Sequence, residues 1–80
     1  MKRAYTQYFL YTRLRSDRKD IKNEWIEQVI NNPIRKIIQS DKRIRCWGKI
    51  DEAGGKYLPV ILLEDGITVH NAFFDRTYTE

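Results

Sequence analysis

Ile21, Trp25, Val29 and Ile30 recur at helical spacing, with Glu24, Glu27 and Gln28 outside the stripe. The pattern predicts an amphipathic helix over residues 20–31, capped by Asp20, or by Asp17 if it starts earlier. Asn31-Asn32-Pro33 ends it, because asparagine tolerates a left-handed cap and proline cannot continue the turn. Beyond that point the period shortens to two. Residues 34–39, 43–50, 57–63 and 67–74 read as strands. Ser40-Asp41-Lys42, the Gly54-Gly55 cluster and Asp65-Gly66 read as the turns between them. Four strands joined by short turns predict an antiparallel meander. Ahead of the helix, Tyr5–Leu10 is rich in strand formers, and Tyr11–Arg18 fits a short helix with Leu10 and Leu14 on one side. The expected fold class is α+β: one or two N-terminal helices packed on a four-stranded antiparallel sheet, in one domain over residues 1–80.

Alternation along the second strand separates two kinds of chemistry. Ile44, Cys46, Gly48 and Ile50 form a core face. Arg43, Arg45, Trp47 and Lys49 point the other way, three cations around one tryptophan. Arginine and lysine suit phosphate, and an exposed tryptophan can stack on an unpaired base. The alternative is that Trp47 closes a small second core while the cations lie around it. On the last strand, His70 is the sole histidine. A lone histidine on a strand is more often structural than catalytic, yet its ordinary pKa near ~6.5 suits proton transfer. Arg76 and Tyr78 follow closely enough to swing over the sheet, or to fray as a tail.

Size limits what such a face can be. Eighty residues allow one small domain, which has no room for an enclosed enzyme cleft. Any site is an open surface or a shallow groove. The formal charge is +4 and unevenly placed. Residues 1–22 hold seven lysines and arginines against two aspartates, and residues 35–49 hold six against one. Two basic blocks point to a polyanion or an acidic partner. Cys46 alone cannot make an internal disulfide or a zinc site, and reads as a small core residue. There is no glycine-rich phosphate loop and no spaced pair of acidic ligands, so neither a cofactor nor a metal is expected. No apolar run reaches the ~20 residues needed to span a bilayer, and no signal peptide is visible. The cytoplasm is the expected compartment.

Tyr11-Thr12-Arg13-Leu14-Arg15, Ile21, Asn32-Pro33, Arg43-Ile44-Arg45, Tyr57-Leu58 and Val60-Ile61 occur in a characteristic order, followed by Val60–Gly66 and Thr68–Arg76. Together, over residues 8–78, they resemble small bacterial relatives of BrnT within the RelE-like toxins of type II toxin–antitoxin pairs. The resemblance implies helices on an antiparallel sheet and a metal-independent mRNA endoribonuclease, acting on the ribosome or on free RNA. In that chemistry the ribose 2′-OH attacks the adjacent phosphate, cations stabilise the phosphorane, and a positioned group moves protons. The positions it implies as catalytic are Arg15, Arg45, His70 and Arg76. Arg18, Arg43, Trp47, Lys49 and Tyr78 would contact RNA. The implied partner is a short antitoxin, in a hetero-oligomer, masking the basic face or pairing with a sheet edge. One position departs from the pattern: Pro59 stands where look-alikes commonly carry arginine, which implies a weakened enzyme. The rival reading keeps the fold and the basic face without catalysis, as an RNA-binding or protein-interaction module. A DNA-contacting regulator is a third reading.

Overall fold

The computed structural model describes residues 4–15 and 18–78. Two helices, α1 (Gln7–Thr12) and α2 (Asn23–Asn31), pack on a sheet of four strands. These are β1 (Arg35–Ile38), β2 (Ile44–Ile50), β3 (Lys56–Leu62) and β4 (Val69–Ala72). The strands lie in chain order and each pair is antiparallel, as the meander requires. The architecture is α+β.

α2 buries Trp25, Ile26 and Val29, with Ile21 entering the core just before the helix starts. Ile26 takes the fully buried place expected of Ile30, which is only half-buried. The expected cap at Asp20 does not form. Lys22 occupies the cap position and offers no side-chain bond, because the chain must first drop Ile21 into the core. α2 lies very close to β2. A Cβ built on Gly48 would sit 2.6 Å from Val29 Cγ2, so only glycine permits this approach.

The N-terminal region differs from its sequence pattern. Tyr5–Leu10 is not a strand; Tyr5 makes only an isolated parallel bridge to Val69, and helix begins at Gln7. Thr6 decides this locally, since its Oγ1 accepts the Phe9 N–H and caps the first turn. Phe9 and Thr12 then fall on the buried side. The expected helix over Tyr11–Arg18 is instead the end of α1 followed by turns, and its residues 16–17 lie outside the described residues.

Asp65 builds the β3–β4 turn: its carboxylate accepts the N–H of Ile67 and Thr68 and the Thr68 hydroxyl, while Gly66 takes a left-handed φ of 71°. β4 is shorter than expected at both ends. A bulge lies near its start, where Ile61 pairs with Asn71 but Leu62 pairs with Val69, leaving His70 as the extra residue. At its far end it stops opposite Pro59. β1 is exposed along its whole length, and no described residue pairs with its outer edge.

Candidate nucleic-acid interface

The helices cover the face formed by Cys46, Ile50, Leu58, Val60, Leu62, Val69 and Ala72. Cys46 is buried there, and burial pushes its thiol pKa up, as befits a core residue. The register aligns the opposite face in rows. Ile37, Arg45, Ile61 and Asn71 form one row. Arg35, Trp47 and Pro59 form the next, and Lys49 pairs with Tyr57 in the third. Asp75 continues that third row through an isolated bridge to Tyr57.

On this face the guanidiniums lie against rings. The Arg35 guanidinium is 5.6 Å and that of Arg45 5.5 Å from the Trp47 ring centre. Arg45 also lies 5.9 Å from the Phe73 ring, and Arg18 approaches the same ring at 5.5 Å. Arg18 arrives from the connection between the helices and donates from Nη1 to Asn71 Oδ1 at 2.9 Å. Three guanidiniums thus share two aromatic rings, an arrangement that orients the cations.

Trp47 is not the exposed platform that strand alternation suggested. It is only 6% exposed, because Tyr78 stacks on it at 5.2 Å and 21°. Tyr57 meets Tyr78 edge-on at 5.1 Å. Apolar surface offers the reason: a tryptophan left open on a sheet of this size would expose a large apolar area, and the C-terminal segment supplies a ring to cover it. Trp47 therefore does close a second, smaller core. Tyr78 is the outermost ring of that stack.

Asp75 positions Tyr78. Its carboxylate accepts the Thr77 hydroxyl at 2.7 Å and the Thr77 N–H at 2.9 Å, and its own N–H donates to the Tyr57 carbonyl. The bonds from Thr77 hold the Asp75 carboxyl below the usual carboxylate range, and the charge of Arg45 adds to this.

His70 sits apart from the aromatic stack, at the bulge. Tyr8 stacks on its ring at 4.9 Å and Thr6 Oγ1 lies 3.2 Å from its Nδ1. Thr6 Oγ1 receives the Phe9 N–H and still has its own proton to give. Given to Nδ1, it leaves the ring proton on Nε2; in the other tautomer Nδ1–H donates to Thr6 Oγ1 and Nε2 is the free acceptor. Burial pushes the His70 pKa below its ordinary value, the Arg43 charge pushes it further, and Asp41 opposes them. Burial and Arg43 thus favour the neutral imidazole.

The remaining positions singled out in the sequence spread around this face. Arg43 pairs with Asp41 at 3.7 Å near the His70 end. Lys49 is exposed in the row of Tyr57. Arg15 follows α1, where its carbonyl accepts the Arg18 and Lys19 N–H groups, and its side chain is exposed. Arg76 is exposed on the C-terminal segment. Arg35, Tyr57, Asn71, Phe73 and Asp75 belong to the face but were not singled out. For Arg35 the signal existed, since a hairpin with β2 places it opposite Trp47.

No family model matches the chain, and neither the curated proteins nor the solved structures provide a match. The likeness to RelE-like toxins stands on the sequence motifs alone. Among the described residues, no helix is long and apolar enough to cross a membrane, and no group of three acidic, histidine or cysteine side chains could hold a metal ion.

Proposed function

We propose that the arginine–aromatic face binds single-stranded RNA. One observation carries the reading: Arg18, Arg35 and Arg45 are gathered on Phe73 and Trp47, which presents guanidiniums at fixed positions beside stacked rings. Guanidiniums so placed suit phosphate oxygens, and the indole of Trp47 at the base of the ring cluster offers a surface on which a base would stack. Binding of a labelled single-stranded RNA, followed by anisotropy across a salt series, tests it. Tight binding that weakens steeply with salt supports the face; no binding at low salt overturns it.

His70 favours a second reading, in which RNA held by the arginine–aromatic face is cut without metal at the bulge beside it. Its neutral imidazole near the charge of Arg43 supplies a proton acceptor beside a cation. In the tautomer whose Nδ1–H donates to Thr6 Oγ1, the imidazole would take the 2′-OH proton at Nε2 as that oxygen attacks the adjacent phosphorus. The 5′-oxygen then leaves with a proton drawn from water, whose hydroxide takes the proton held by the imidazolium, giving a 2′,3′-cyclic phosphate and a 5′-OH, while Arg43 and Arg45 offset the phosphorane charge. In this reading the chain is the toxin of a toxin–antitoxin pair. It works in the cytoplasm, and its partner is a short antitoxin covering the basic face. Incubation with RNA in EDTA separates the two readings: cyclic-phosphate ends that vanish in His70→Ala indicate a nuclease, and intact RNA indicates a binding module.

A further inference from the structure

The slot over Trp47 has a floor, sides and an occupant. The indole is the floor, the Arg35 and Arg45 guanidiniums lie 5.6 and 5.5 Å from its centre, and the Tyr57 ring stands edge-on to the occupant. The occupant is Tyr78, stacked at 5.2 Å and 21°. Two N–H donors here, Trp47 Nε1 and Arg45 Nε, are buried with no hydrogen-bond partner among the described residues. Buried donors are normally satisfied, and the face of a phenol ring offers them no strong acceptor. A nucleotide brings what is missing: the indole N–H points out in the ring plane, beyond reach of a base stacked on its face, but ribose and phosphate oxygens at the ring edge can accept from it and from Arg45 Nε.

We infer that this slot is a nucleotide site in which a base stacks on Trp47 with its phosphate at Arg45, and that the C-terminal segment fills it in the absence of RNA. Asp75 and Tyr78 imitate that ligand, a carboxylate followed three residues later by a flat ring. The Tyr78 ring lies on Trp47, and Asp75, held opposite Tyr57 in the next row, brings a carboxylate to the Arg45 side of the slot without pairing with it directly. The segment is held by the Asp75 N–H bond to Tyr57 and by the Asp75–Thr77 turn, so it can lift without breaking a strand. RNA would displace it by supplying a stacked ring and a phosphate for Arg45, together with the unmet acceptors. The inference rests on the RNA-binding reading and adds a specific subsite and its regulation.

The test compares the native chain with Tyr78→Ala and Tyr78→Phe on one single-stranded RNA. Removing an intramolecular competitor worth one stacking contact should tighten RNA binding of Tyr78→Ala roughly 5-fold or more. Tyr78→Phe keeps the stacking ring and should bind as the native chain does. A melting temperature showing a cooperative transition confirms that each variant is folded. Titration with adenosine monophosphate should shift the Trp47 indole N–H resonance in Tyr78→Ala and leave the Trp25 resonance in place. If the native chain binds RNA but Tyr78→Ala binds it equally or more weakly, the cover is overturned and the RNA-binding reading stands. If neither form binds RNA and the Trp47 resonance does not move, both fall.

Discussion

Pro59 lies directly opposite Trp47 in the β2–β3 ladder, in a strand with a neighbour on each side. A proline there should break the sheet, since it has no N–H to donate. Its carbonyl shows which way the missing group points, because it accepts the Phe73 N–H at 3.3 Å. In an antiparallel pair the N–H and C=O of one residue face the same neighbour. The loss therefore falls on the β4 side alone, and the pair makes one bond where two are usual. β4 ends at Ala72 for that reason, and pairing resumes only at the Tyr57–Asp75 bridge.

Replacing Pro59 by arginine should return an N–H to the ladder and add a guanidinium to the row of Arg35 and Trp47. The look-alike pattern carries arginine at this position, and loss of a transition-state cation commonly costs ~10²–10³-fold in rate. Under tight induction, Pro59→Arg should slow growth and degrade cellular RNA more than the chain with proline. Equal growth and equal RNA integrity would remove any catalytic meaning from the position.

Salt dependence reads the phosphate contacts directly. Each phosphate neutralised on a single strand contributes about −0.7 to the slope of log affinity against log salt. Arg45→Ala with Lys49→Ala should flatten the slope by about 1.4 if each side chain holds one phosphate. An unchanged slope would make the cations a solvated fringe of the Trp47 core.

Trp25 anchors α2 to the sheet, buried against Phe74 at a ring distance of 6.0 Å. Trp25→Ala should cost ~3–5 kcal/mol, enough to unfold most of a domain this small. Chemical denaturation would measure it, and a variant with near-native stability would show that the core does not depend on this ring.

The His70 environment predicts its own titration. Burial and then Arg43 depress its pKa, so the unfolded chain takes up this proton at a higher pH than the folded one. The contribution to stability is present above the unfolded value near ~6.5 and is lost as the pH falls through it toward the folded value. Replacing His70 by Gln should therefore flatten the decline in melting temperature between pH 7.5 and 5.5, a window chosen to lie above about 5, where carboxylates dominate. In a proton NMR titration, Arg43→Gln should raise the His70 pKa and Asp41→Asn should lower it. Shifts of the opposite sign would contradict this account of the site's charges.

The sheet was legible because its signals are local. Alternation in residues 43–50 and the Asp65-Gly66 turn fix faces and register within a few residues of chain. The N-terminal segment was not, because Tyr5–Leu10 carries strand formers that one capping hydroxyl and a distant surface overrule. Phe9 becomes helical where it can pack against Ile21, Val69 and the rest of the core. The same limit applied to the site. Alternation put Arg45 and Trp47 on one face, but not the ring of Tyr78 that returns from the chain end to lie on it. His70 was noticed for its type; the bulge that turns it toward Thr6 has no mark of its own in the sequence.

β1 gives the chain a response to salt opposite to that expected of the proposed RNA binding. Gln39 donates to the Arg43 carbonyl, so by alternation Lys36 and Ile38 turn their backbone groups outward, and Ile38 is 72% exposed. Open backbone bonds beside bare isoleucine are a template for another strand. Between identical copies, Arg35 and Lys36 keep those edges apart by repulsion, and that repulsion is screened by added salt. If the arginine face binds RNA as proposed, the salt that would release it also brings β1 edges together, and the chain is best dispersed at the low ionic strengths that would favour binding.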